Sequence, residues 1–184
     1  MINKGQFRDT ENNLYEVTIT SEIGGSVQIE LEFGDTPFTS SVEGSDFLYK
    51  PARYTSATVN LISRDNYYYF DIYSGKPQGT KVEVTKNGNV VFNGYAEPTL
   101  YNIGYESNVE ELSIDCIDGL ASLQYFNYEP INGSAGVHTL IDIIEHCVRK
   151  AGCYDTVIAD ISTIIDGTSK ELLLYGLVSE QNFI

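Results

Sequence analysis

Three groups of side chains have residue types from which chemistry is built. His146, Cys147 and Cys153 lie close together, with His138 shortly upstream, and sulfur and imidazole are ligands that zinc prefers. A structural zinc site is normally announced by a C-x-x-C pair or a close variant, and the chain has none. Nor do His146 and Cys147 suit a nucleophile and its base. Neighbours on a helix project about 100° apart, so the imidazole does not readily serve the thiol, and a cysteine leaning to the apolar side of a helix is ordinarily core. The carboxylates form the second group, and a glycosidase couple such as Glu30 with Glu111 can be drawn from them. That reaction needs its carboxyls about 5 or about 9 Å apart; nothing in the chain imposes such a distance, and a solvated strand face accounts for the acids directly. The third group is the run Tyr67-Tyr68-Tyr69-Phe70. It suits a sugar-stacking platform or, more in keeping with alternating aromatics, division between a core and a subunit interface. G-x-G-x-x-G, G-K-[ST], H-E-x-x-H and the D-x-D-x-D-G calcium loop are all absent. No catalytic residue, metal ligand or cofactor is therefore assigned.

The elements that must carry these side chains are mostly strands. The 184 residues suffice for a core in one domain, or one domain and part of another. A hydrophobic content of 42% is that of a folded chain. Fourteen Tyr and no Trp, beside many Val, Ile and Thr, tilt it toward β structure. The formal charge of −15 argues against binding nucleic-acid backbone, which takes clustered Lys and Arg. An acidic surface keeps a protein soluble and also repels DNA. No apolar run approaches the ~20 residues of a membrane span, and M-I-N-K-G-Q-F-R-D-T lacks the apolar centre of a secretory signal. Three cysteines make no disulfide framework, which fits synthesis in the cytosol.

In chain order, Tyr15, Val17 and Ile19 alternate with polar residues over 14–20, and Gly24-Gly25 turns the chain into 26–33, where Val27, Ile29, Leu31 and Phe33 alternate likewise. The pattern predicts a half-buried antiparallel hairpin of these two strands. Residues 34–54 show no sustained period and read as a long loop. Strand signal returns at 56–63 and again at 67–73, where Tyr68, Phe70 and Ile72 would share one face. Over 80–96 two strands flank Asn87-Gly88, the strongest short hairpin signal, with Val82, Val84, Val90 and Phe92 on the apolar face. A strand over 108–117 points Leu112, Ile114 and Cys116 inward and Glu111, Ser113 and Asp115 outward. Asp118 then caps a short helix whose Leu120 and Leu123 lie against the sheet. Six or more strands about ten residues apart predict an antiparallel β-barrel or sandwich over 1–126. After a linker, residues 137–151 form the one strong helix, with Val137, Leu140, Ile141, Ile144, Val148 and Ala151 on its apolar face. His138, Asp142, Glu145 and Arg149 lie opposite, and Gly152 sits at the C-cap. Residues 127–184 read as the start of a small α+β domain, and the apolar ending reads as a chain cut within a longer protein.

The stretch Thr80–Leu123 also carries a family resemblance. Its T-K-V-E-V-T-K, Asn87-Gly88, N-V-V-F-N-G-Y-A-E-P, N-V-E-E-L-S-I-D-C-I and D-G-L-A-S-L segments resemble the first β-domain of phage tail baseplate-hub or tail-associated proteins, over roughly residues 55 to 183. The resemblance implies a tail-tube-type β-barrel followed by a small helix-containing domain, in a non-enzymatic virion protein at the distal end of the tail tube. It implies self-association into a ring, a homotrimer in the full-length protein. Tube, distal tail or spike proteins would be neighbours, and DNA would cross the lumen without specific binding. Glu30, Glu32, Glu83, Glu111 and Asp115 are the acids expected to face such a lumen. A carbohydrate-binding or adhesin β-sandwich, with Tyr67, Tyr69 and Tyr73 as its contact surface, is the alternative, and a cell-wall hydrolase module a third for which no nucleophile or metal set is present.

Overall fold

A computed structural model of the chain describes residues 1–24, 29–42, 53–63, 69–98, 110–152, 164–165, 168–169 and 177–180. The chain divides into two compact units, Met1–Ser122 and Leu123–Ile184. The first is mainly antiparallel β. Its seven strands are β1 (Ile2–Arg8), β2 (Leu14–Ser21), β3 (Phe33–Val42), β4 (Thr55–Ser63), β5 (Thr80–Lys86), β6 (Asn89–Ala96) and β7 (Glu110–Asp118). They form one sheet in the order β1-β2-β5-β6-β7-β4-β3, every neighbouring pair antiparallel.

Period-two alternation explains most of this sheet. Val17 and Ile19, Ala57, Val59 and Leu61, Val82 and Val84, and Leu112, Ile114 and Cys116 all face one core, together with Leu31, Tyr69, Ile72, Phe92 and Ala96. A single slip of register would turn each set to solvent. The β5–β6 turn is the type expected: Asn87 and Gly88 take φ of 50° and 80°, the left-handed region that this two-residue turn requires. Asn87 also fastens the turn to β2, its Oδ1 accepting from the Leu14 amide at 3.0 Å. Val90 differs from the expectation. It is 59% exposed, because a register shift pairs it with Thr85, on the face opposite to that of Val84 and Phe92.

Other expectations are corrected by long-range pairing. The strand over 14–20 does not form a hairpin with 26–33; β2 lies between β1 and β5, residues 29–32 are outside any strand, and 25–28 are outside the described residues. β1 carries no apolar alternation, since Asn3 and Gly5 occupy its inward positions. Gly5 is needed there, as a Cβ would stand 2.7 Å from Leu31 and from the Phe33 ring. Residues 34–42, read as loop, join Phe33 in β3. Its register breaks between Phe33 and Phe38, and Pro37 is tolerated because β3 is an edge strand. Residues 70–72 form a 3-10 turn instead of a strand. Inward positions then recur every third residue, so Tyr69 and Ile72 are buried while Phe70 is 53% exposed.

The sheet curls enough for its two edges to meet without closing by a ladder. One parallel bridge joins Lys4 to Glu30, the Leu31 amide donates to the Lys4 carbonyl at 2.9 Å, and the Ile29 amide donates to Asn3 Oδ1 at 3.1 Å. Inside the seam, Phe7 meets Phe33 edge to face at 5.1 Å and stacks on Tyr15 at 4.9 Å. After β7, Asp118 caps α1 (Gly119–Ser122) by accepting from the Ala121 amide at 2.9 Å. Leu120 is 45% exposed on α1, so it does not lie against the sheet.

The second unit opens with a 3-10 turn, Leu123–Tyr125, and continues through β8 (Val137–Thr139) and α2 (Leu140–Lys150). β9 (Ile164–Ile165) pairs with β10 (Thr168–Ser169), and β11 (Leu177–Ser179) pairs with β8. The helix is shorter than expected because Thr139 and Asp142 form a capping box that starts it at Leu140, leaving Val137 and His138 to β8. Its one fully buried residue is Ile143; Ile144, assigned to the buried face, is 37% exposed. Gly152 ends the helix with φ 87°.

Candidate functional site

Of the residues the sequence singled out, the outer face of the seven-stranded sheet carries Glu83, Glu111 and Asp115, and its charge is divided by strand. On this face β1, β2 and β5 hold Lys4, Arg8 and Lys81 among Glu16 and Glu83, while Lys86, opposite Tyr15, lies on the core side at the end of β5. β6, β7, β4 and β3 hold no Lys or Arg at all, and Asp35, Glu111 and Asp115 stand exposed on them. Between these acids runs a hydrogen-bonded polar surface. Thr58 Oγ1 donates to Asp115 Oδ1 at 3.0 Å, Ser113 Oγ donates to Asn60 Oδ1 at 2.7 Å, and Asn60 Nδ2 donates to the Thr36 carbonyl at 2.7 Å. Gly34 leaves room for Glu111, whose Oε1 lies only 2.2 Å from where a Cβ at that glycine would be.

The five acids expected on one surface are thus separated. Glu111 and Asp115 share a face of β7 in the cation-free half. Glu83 sits in the mixed half with its carboxylate 3.7 Å from Lys81 Nζ. Glu30 and Glu32 belong to the seam and not to a strand, Glu30 bridging to Lys4. The proposed glycosidase couple of Glu30 and Glu111 is likewise divided between seam and β7.

The aromatic contact surface loses a member. Tyr69 is wholly buried, with its hydroxyl oxygen accepting from the Glu32 amide at 3.2 Å, so it is a core residue and not a contact residue. Tyr73 is partly buried against the same core, and Tyr67 lies outside the described residues.

In the second unit, His146 and Cys147 both line a cleft of about 200 Å³ with Leu123, Phe126, Tyr128 and Lys150. The His146 ring stands edge-on to Tyr128 at 5.9 Å, and Lys150 Nζ lies 4.8 Å above the Phe126 ring and 3.2 Å from Glu129. Burial pushes the Cys147 thiol above its ordinary pKa, which holds it in the protonated, poorly nucleophilic form. Cys153 lies outside the described residues, and among the described residues no group of three His, Cys, Asp or Glu is placed to hold a metal ion. No helix among them is long and apolar enough to cross a membrane.

One cluster had no sequence signal, because its members are spread from 128 to 180. Glu180 is wholly buried. Its Oε1 accepts from the Tyr128 hydroxyl at 2.8 Å and the Ile131 amide at 2.9 Å, and its Oε2 from the Gly136 amide at 2.7 Å. His138 Nε2 stands 3.5 Å from Oε2. Burial, followed by the bond to Glu180, pushes the Tyr128 hydroxyl up to about 12. A raised folded-state pKa means stability fully present below the ordinary tyrosine value and lost as pH rises through the folded one. The second unit is therefore expected to weaken between about pH 10 and 12. Tyrosinate absorbance followed during alkaline titration should show one late component that Tyr128→Phe removes.

No family model, characterised protein or solved structure matches this chain.

Proposed function

We propose that this chain is a structural assembly protein, not an enzyme: a hub-like component of a phage or prophage-derived tail, at the distal end of the tail tube. In this reading the seven-stranded sheet is a barrel of the tail-tube type, its seam stitched by the Lys4–Glu30 bridge and the Phe7–Phe33 contact. Copies associate into a ring, and DNA passes through without binding. The observation that carries the reading is the cation-free outer face of β6, β7, β4 and β3, with Asp35, Glu111 and Asp115 on it. A wall of one negative sign repels the phosphate backbone, and the lack of Lys and Arg removes the groups that would retain it by counterion release. The resemblance of the Thr80–Leu123 stretch to tail hub proteins supplies the assembly.

Within this reading Glu111 and Asp115 are the principal lumen acids, and Glu83, already beside Lys81, contributes less. The double charge reversal Glu111→Lys with Asp115→Lys is expected to leave tails assembled but to slow or block DNA ejection, measured as infectivity and as release of packaged DNA from purified particles. Normal ejection by assembled double-reversal particles would sink the lumen assignment. Electron microscopy of the purified protein tests the ring separately. The carbohydrate-binding alternative is weakened by the burial of Tyr69.

A further inference from the structure

Among the described residues Glu180 accepts from Tyr128, Ile131 and Gly136, all in the stretch 128–136, and stands beside His138. That stretch has neither strand nor helix of its own. Its local order consists of a turn closed by the Gly133 amide on the Pro130 carbonyl at 3.0 Å, and the Glu180 amide returns a bond to the Gly136 carbonyl at 2.9 Å. The carboxylate thus fills the place that a β ladder fills elsewhere, fixing both ends of an irregular segment from a single buried point.

We propose that Glu180 is a latch: its ionised carboxylate holds residues 128–136 closed, and protonating it in acid opens that segment while the seven-stranded sheet stays folded. The reason lies in the donor set. A proton on the carboxyl turns one acceptor into a donor, and the backbone amides of Ile131 and Gly136 cannot rotate to accept it. Only the Tyr128 hydroxyl can turn. Even with that hydroxyl turned to accept the proton, the bonds donated by the Ile131 and Gly136 amides fall from charge-assisted to neutral strength, about half.

The titratable groups around the latch set its direction. Tyr128 stays neutral throughout the acid range. His138, when charged, favours the ionised carboxylate, and Asp142 on α2 faces His138 in turn. Cys147 on α2 faces Tyr128 as an uncharged thiol. The Ile131 bond leads the donors that hold the Glu180 carboxyl below the ordinary glutamate range, against the opposing effect of burial. A lowered folded-state pKa gives stability present above the unfolded value and lost as pH falls through the folded one. Opening therefore belongs to acid, below the ordinary glutamate range, and it frees Tyr128 from its place in the cleft beside Leu123 and Phe126.

Amide exchange followed by NMR on the full chain tests this. Protection of the Ile131 and Gly136 amides is expected to fall about tenfold per pH unit below one midpoint, with the β4 amides still protected. His138→Gln is expected to move that midpoint upward. Glu180→Gln is expected to leave both amides exchanging fast with no midpoint, and if that variant does not fold the wild-type and His138→Gln profiles decide. Loss of protection at 131, 136 and β4 at one shared midpoint would overturn the latch, as would a midpoint unmoved in His138→Gln.

Discussion

Tyr69→Ala is expected to destabilise the first unit by about 3–5 kcal/mol, the range for deleting a large buried aromatic, and to lower Tm by roughly 10 °C. Tyr69 has no exposed surface, and its hydroxyl oxygen accepts from the Glu32 amide just inside the seam. Truncation therefore leaves a cavity and takes an acceptor from the Glu32 amide together. Tyr69→Phe separates the two effects: it keeps the ring and removes only the hydroxyl, at about 1–3 kcal/mol. Urea unfolding of the three proteins measures both steps. Were Tyr69 part of a glycan or subunit contact, the alanine variant would keep its urea midpoint and lose binding, the opposite outcome.

Gly94→Ala is expected to cost about 3 kcal/mol, the upper end of the range for overpacking, although alanine is the smallest possible addition. A Cβ at Gly94 would stand 2.2 Å from the Ile117 carbonyl oxygen and 2.8 Å from the Phe92 ring. The ring can shift, but the carbonyl cannot easily move. Ile117 is held in register between Tyr95 and Ser56, and the next residue, Asp118, accepts from the amides of Thr55 and Ala121. Relieving the clash means parting β6 from the end of β7. Gly75→Ala is the matched control: nothing lies within 4 Å of its Cβ position, so a change within about 0.5 kcal/mol is expected. Thermal melts of the two variants compare them directly, and equal melting temperatures would contradict the close approach at Gly94.

The elements legible in the sequence were those whose information is local. β4, β5 and β7 keep strict alternation, Asn87-Gly88 dictates its own turn, and Asp118 stands where a capping carboxylate is needed. Each of these follows from a few adjacent residues. β1 and β3, the two edges, were illegible. In β1 the inward positions go to Asn3, which accepts from the Ile29 amide, and to Gly5, against which Leu31 and the Phe33 ring close, so no apolar alternation marks the strand; in β3 Pro37 and a register shift interrupt the pattern. The run at 67–73 misled for a different reason: aromatics satisfy a strand period and a 3-10 period equally well, and only packing selects between them.

The candidate site divides in the same way. That Glu111 and Asp115 point outward from a strand is a property of the residues around them. That no cation shares their half of the sheet depends on strand order, which sets β7 beside β4 and β6 and sends Lys4, Arg8 and Lys81 to the other half. Glu180 lies further still from sequence reasoning, since a lone glutamate becomes a buried acceptor only when donors from 128, 131 and 136 converge on it. By itself the sequence determined the strands that alternate, the turn, the caps and the acidic character of the chain, because side-chain period and backbone preference act between near neighbours. The tertiary structure alone decided strand order, the meeting of the two sheet edges, the burial of Tyr69 and the setting of Glu180, because each joins residues that only long-range packing brings together.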